Sequence, residues 1–184
     1  MDFRLRQATP EDAEAVVLMQ TLAHEECYPH LLSADFFERR RATIPERVAR
    51  RREFLARDEP RILAFDADNQ LVGYADAGPG REDDAPEALE LYSIYTLRRT
   101  CGTGLGAALV SAAVGSGPAY VWVLENNPRA LAFYQKLGFR PDGKRNTLPP
   151  EWEALPEFRL VRRAQPQRQA ASGAAYDGGS GLER

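Results

Sequence analysis

Gly102, Gly104 and Gly106 stand at alternate positions in the run CGTGLG, and that spacing is the feature of the sequence best suited to chemistry. Glycines so spaced let the main chain come close to a ligand. Where such a turn opens a helix, successive free N–H groups backed by the helix dipole form an anion site, and a phosphate or diphosphate is its natural occupant. Taken alone, the run could equally be a tight turn that binds nothing. Two common phosphate loops do not fit. A dinucleotide fingerprint reads G-x-G-x-x-G with an acidic residue roughly 20 positions on, and a nucleoside triphosphate loop ends in Gly-Lys followed by Ser or Thr. Here the spacing is G-x-G-x-G and no Lys follows.

The elements that must position this turn are readable on both sides. Residues 89–97 read as a strand, 107–114 as a helix closed by Gly115, and 120–124 as a continuous apolar run that suits a buried parallel strand. Asn127-Pro128 opens a further helix that stops at Gly138. Strand, glycine turn, helix, strand, helix is a βαβ unit with an extra helix, so its two strands should be parallel neighbours. Upstream, residues 3–8 read as a strand. Thr9-Pro10-Glu11-Asp12 then starts a helix to about residue 26, and two Arg-rich helical stretches follow. Residues 61–65 and 71–77 flank turn chemistry and should form a hairpin. An acidic Gly/Pro loop spans residues 78–87, the chain from Phe139 is Pro-rich, and residues 157–161 read as a last strand.

With 24 basic and 27 acidic side chains, the 184-residue chain has a net charge of −3, which gives no large cationic field and argues against a nucleic-acid coat. The arginines between residues 39 and 52 are interleaved with Glu38, Glu46 and Glu53, which reads as a solvated, ion-paired helical face. No stretch approaches the roughly 18 apolar residues of a membrane span, and Met-Asp-Phe-Arg lacks a signal core. Cys27 and Cys101 make neither a disulfide framework nor a zinc spacing, and His24 with Cys27 is too little for a metal site, so no metal and a cytoplasmic location are expected. One domain over residues 1–163 is expected, with residues 164–184 too poor in large apolar side chains to fold.

The segment ELYSIYTLRRTCGTGLGAALV, residues 90–110, resembles the signature strand, diphosphate loop and helix of the GNAT N-acetyltransferase superfamily. The segment WVLENNPRALAFYQKLGF, residues 122–139, resembles its second block, N-x-x-A-x-x-F-Y-x-x-x-G-F. The resemblance implies a mixed α/β (α+β) fold, in which a central sheet of about six to seven strands is flanked by helices and two parallel strands splay around an acyl-CoA site. It also implies direct transfer of an acetyl group from acetyl-CoA to a primary amine of a small molecule or peptide. By the same resemblance, Gly102, Thr103, Gly104, Leu105, Gly106 and Ala107 would hold the diphosphate. Ile94, Tyr95, Thr96 and Leu97 would pair with the pantetheine arm, with the Ile94 N–H at the thioester carbonyl. Asn127 would bond the same arm, although it could equally cap the helix at Pro128.

Tyr134 matches the family tyrosine that can donate to the departing thiolate, although it could also pack beside Phe133 and Phe139. Glu90 is the implied general base, Glu125 its rival and Tyr92 a weaker one. Walls of an acceptor pocket would come from residues 24–28, including Glu25 and Tyr28, and from Glu82, Asp83 and Asp84; acidic walls would suit a cationic amine. The first loop position, usually Gln or Arg in the family, is Cys101 here. That leaves room for a catalytically degenerate acyl-CoA-binding sensor or partner module, unless Arg98 or Arg99 meets a phosphate. Tyr120 or Trp122 at an exposed edge could support a homodimer.

Overall fold

The alternation of residues 3–7, the hairpin and the apolar run after the glycine turn all end up in one sheet. The computed structural model describes residues 2–164. Its strands are β1 (Phe3–Gln7), β2 (Arg61–Asp66), β3 (Leu71–Pro79), β4 (Leu89–Thr96), β5 (Ala119–Leu124), β6 (Arg140–Thr147) and β7 (Pro156–Arg162). The helices are α1 (Ala13–Cys27), α2 (Ala34–Ala42), α3 (Ile44–Leu55), α4 (Leu105–Val114) and α5 (Pro128–Lys136). The sheet order is β1-β2-β3-β4-β5-β7-β6, and every neighbouring pair is antiparallel except β4 with β5. The expected parallel pair is therefore present, in a mixed seven-stranded sheet. The expected tail, from residue 165 on, lies outside the described residues.

Successive residues of β3 point to opposite faces of the sheet. The Tyr74 hydroxyl accepts from the Gln20 side chain of α1 at 2.6 Å, whereas at Gly73 an added Cβ would lie 3.1 Å from Leu109 of α4. Thus α1 and α3 cover one face and α4 the other. Leu105, Leu109 and Val110 are buried on the α4 side. Each such apolar side chain contributes about 1.5–3 kcal/mol on burial. Thr9 and Asp12 cap the entry to α1: Asp12 accepts from the Thr9 N–H at 2.8 Å and is clamped by Arg6.

Two expectations need correction. The Pro-rich stretch after Phe139 contains a strand, β6, whose eight residues are all exposed. It has no buried face and hence no alternation to read; pairing with β7 alone makes it a strand. Tyr120 and Trp122 are not at an edge, because β5 is flanked by β4 and β7, and Tyr120 is fully buried. The homodimer expectation loses that basis.

Candidate functional site

The parallel pair is joined by two rungs only, Glu90 with Tyr120 and Leu91 with Val121. Beyond them β4 leaves β5 and stays paired with β3 alone, so the sheet forks. The Leu97 N–H bonds the Val72 carbonyl of β3 at 2.9 Å, which fixes the antiparallel phase. Leu97, Tyr95 and Ser93 turn their main-chain groups to β3, and the intervening Ile94 and Thr96 turn theirs to the open fork. By this phase the Ile94 N–H points away from β3, toward the fork. Tyr92 is an extra residue in β4: Ser93 pairs with Asp76 and Leu91 with Ala77. This bulge brings the consecutive side chains of Tyr92 and Ser93 to the α3 face. There the Tyr92 hydroxyl bonds the Pro79 carbonyl at 2.7 Å and Ser93 donates to Asp76 at 2.9 Å.

At the mouth of the fork, Gly102 and Gly104 have φ of 79° and 86°, the left-handed region that glycine enters without steric cost. An added Cβ at either would meet nothing within 4 Å, so the turn faces open space. Among the described residues the N–H groups of Gly102, Gly104, Gly106 and Ala107 have no acceptor, while Thr103 bonds back to Thr100 and Leu105 has only the Thr103 hydroxyl at 3.4 Å. Orphan amides at the start of a ten-residue helix form a cradle for an anion. Gly106 has a second reason to be glycine: a Cβ there would lie 3.0 Å from the Phe133 ring of α5.

The Arg129 guanidinium of α5 reaches the Cys101 sulfur, which puts a cation beside the loop position where the sequence has none. Arg99, one of the two arginines that could have met a phosphate, is bonded to Asp66 at 2.7 Å. The Asn127 carbonyl oxygen caps α5 by accepting from the Ala130 N–H at 3.0 Å, leaving its amide N–H groups free. Tyr134 is buried between Phe133 and Phe139, with ring centroids at 5.0 and 5.7 Å. Burial, and then neighbouring Tyr95, push its phenol well up, so it stays protonated at any working pH.

Glu90 is buried at the apex of the fork. It accepts from the Arg81 N–H at 3.2 Å, from the Arg81 guanidinium at 3.0 Å and from the Tyr120 hydroxyl at 3.0 Å. A cavity of about 420 Å³ between α1, α2, α3 and the bulge is lined by Tyr92, Ser93, Asp76 and five arginines, one of them the Arg81 that binds Glu90; Glu90 itself is not in its wall. Glu25, Tyr28 and Glu125 do not line it. Glu25 pairs with Arg41, Glu125 pairs with Arg145, and Tyr28 packs against His24 and Tyr95. The acidic loop turns away as well: Glu82 holds Arg159 at 2.7 Å and Asp84 holds Lys144 at 2.5 Å. Arginine, not acid, predominates in this cavity, and the helical arginines are only partly solvated. Arg47 is 5 % exposed, and Glu38, Glu46 and Glu53 form no ion pair among the described residues. Arg129, Asp76, Arg81 and this arginine lining were missed because their roles arise from contacts far apart in sequence.

Among the described residues there is no group of three metal-ligating side chains, and no helix is long and apolar enough to cross a membrane. A sheet forked between two parallel strands, with an amide-lined turn at the mouth of the fork, is the acyltransferase fold to which the motifs point. The chain belongs to the acetyltransferase (GNAT) family, whose sequence model matches residues 23–139. It is 37% identical over 103 residues to uncharacterized N-acetyltransferases of Mycobacterium tuberculosis and Mycobacterium bovis. The match takes in 53% of this chain and 64% of theirs, so the chain spans less than two thirds of the curated relatives it matches. Two solved structures are similar in fold. The PaiA N-acetyltransferase of Thermoplasma acidophilum, in complex with coenzyme A, is 19% identical with a TM-score of 0.63, covering 89% of this chain and 99% of that one. A GCN5-related N-acetyltransferase of Rhodopseudomonas palustris is 20% identical with a TM-score of 0.67, covering 90% and 97%.

Proposed function

We propose that the protein moves an acetyl group from acetyl-CoA directly to a primary amine of a small molecule or peptide. The observation that carries this reading is the fork itself: unpaired Ile94 and Thr96 main-chain groups lead from an arginine-lined cavity to a cradle of orphan amides. A diphosphate fits that cradle, because Gly102 and Gly104 present no side chain into it. When bound, acetyl-CoA supplies the activated acyl group.

The chain's own residues do the rest. The amides of residues 102–107 hold the diphosphate, assisted by the Arg129 cation. Ile94 to Leu97 accept the pantetheine arm as an added strand would lie, with an Asn127 amide N–H beside it. The Ile94 N–H steadies the carbonyl oxygen as it gains charge. Glu90 takes the proton from the amine, and Tyr134 gives one to the leaving sulfur. Cys101 alone is the feature that favours a non-catalytic acyl-CoA-binding module, and Arg129 offsets it.

Calorimetry with acetyl-CoA, followed by thiol release against a panel of amines, tests the reading. Binding and turnover support it. Binding without turnover on any amine favours the non-catalytic module, and absence of binding removes both.

A further inference from the structure

The cavity in front of the fork has a charge imbalance that an amine alone cannot satisfy. Five arginines line it: Arg40, Arg47, Arg50, Arg51 and Arg81. Two are matched: Arg51 makes a bidentate pair with Asp76 at 2.7 and 2.9 Å, and Arg81 is bound to Glu90. The other three have no carboxylate partner among the described residues. Arg47 is almost fully buried, yet its guanidinium bonds only neutral atoms: Thr21 Oγ1 at 2.8 Å, the Arg40 carbonyl at 2.9 Å and Gln20 Oε1 at 2.9 Å. Arg40 Nε is buried without a hydrogen-bond partner among the described residues.

Unpaired charge is costly to bury, and three like charges around one cavity repel each other as well. Burial first, then the Arg40 and Arg50 charges, push the Arg47 guanidinium down to about 10. A fold that keeps such a set is arranged for an anion, and the planar fork of arginine matches an oxyanion in two-point geometry.

Resting on the acetyl-transfer reading above, we infer that the acceptor is a small amine that also bears an oxyanion, a carboxylate or a phosphate, and that Arg40, Arg47 and Arg50 hold this group. The cavity volume suits a metabolite-sized molecule. Ser93, at its wall, immediately precedes Ile94 in β4, so an acceptor anchored on the arginines has its amine beside the open edge of the strand. The anion also sets register: it fixes one end of the acceptor so that the other meets the acyl group, which is how remote binding contributes to rate.

Matched acceptors test this: β-alanine against β-alaninamide, and aminoethyl phosphate against ethanolamine, each followed by thiol release. The acid of at least one pair should exceed its neutral partner by tenfold or more in kcat/KM. The pair with the larger ratio identifies the oxyanion. Arg50 is exposed, so Arg50→Gln should fold normally, keep its acetyl-CoA affinity and lower the ratio several-fold. Arg47 is buried, so its replacement is expected to disturb folding; Arg40→Gln and Arg50→Gln combined should instead lower the ratio further than either alone.

A second readout needs no turnover: succinate or inorganic phosphate should raise the unfolding temperature of the wild type and do so less in Arg50→Gln. Equal rates for acid and neutral partners, with no stabilisation by either anion, overturn the inference while leaving acetyl transfer intact. Stabilisation by an anion with no turnover on any amine keeps the anion site and overturns the transferase reading instead.

Discussion

The Tyr120 hydroxyl donates to the Glu90 carboxylate at 3.0 Å, across one of the two rungs that join β4 to β5. The same carboxylate is bound by Arg81. Burial, and then Glu90 itself, push the Tyr120 phenol up, so it remains a donor. The apex of the fork is therefore a carboxylate oriented from two sides. Glu90→Gln is expected to lower kcat by about 10²–10⁴-fold, the usual worth of a positioned base. The reason is chemical: a carboxylate can accept the amine proton and the glutamine amide cannot. Steady-state thiol release by the two enzymes checks this. An unchanged rate in Glu90→Gln would move the role to Asp76, the carboxylate that lines the cavity itself. Tyr120→Phe should cost about 1–3 kcal/mol in urea unfolding, because it removes a donor from a buried acceptor.

Tyr134 differs from Tyr120 in having no hydrogen bond to another side chain among the described residues; burial, and then Tyr95, raise its phenol. Tyr134→Phe keeps the ring packing against Phe133 and Phe139, so unfolding should change little. Loss of a proton donor to the leaving sulfur should lower kcat about a hundredfold with acetyl-CoA affinity nearly unchanged. Stopped-flow thiol release separates the two quantities, and wild-type kcat in the phenylalanine enzyme would remove the donor role.

Arg129 and Cys101 lie 28 positions apart and meet at the diphosphate loop. If Arg129 supplies the missing loop cation, Arg129→Ala should weaken acetyl-CoA binding about tenfold or more, the size of one charge-assisted contact. Cys101→Arg should then restore binding in the Arg129→Ala background while adding little to the wild type. Gly104→Ala provides the contrast. With φ at 86°, a methyl group costs about 1–2 kcal/mol of backbone strain and also enters the cradle, so both stability and affinity should drop. Calorimetry at two salt concentrations distinguishes the variants, because only the arginine effect is screened.

What the sequence disclosed was local. Thr9-Pro10 with Asp12, Asn127-Pro128 and the alternate glycines each carry their own backbone consequence, and the structure has a cap or a left-handed turn at each. Strand β6 was illegible because Pro141, Gly143 and their polar neighbours bury nothing, so no periodicity records the pairing. The inner arginines were misread for the opposite reason. Their spacing with glutamates looks like a solvated face, and only the packing of α3 on α1 decides that Arg47 turns inward to Gln20 and Thr21. Charge patterns report composition of a face, not which face is covered.

His24 carries the remaining prediction. It is fully buried among Tyr28, Phe36, Tyr95 and Trp152, and neither ring nitrogen has a hydrogen-bond partner among the described residues. Burial first, then the charges of Arg40 and Arg47, hold its folded-state titration well below 6.5. Above 6.5 both folded and unfolded chains have it neutral, so it contributes no pH dependence there. Below 6.5 the unfolded chain takes up a proton that the folded one refuses, and stability falls by up to about 1.4 kcal/mol per pH unit. The Asp12 carboxyl, drawn down to about 2 by Arg6, acts in a lower window, where stability is lost as pH falls from about 4 toward 2. His24→Leu replaces an unpaired polar ring with an apolar side chain of similar bulk. Its urea midpoint should match or exceed the wild type at pH 7.5 and stay flat down to pH 5, where the wild type declines. A parallel decline in both proteins would show that His24 is charged or bonded in the folded state.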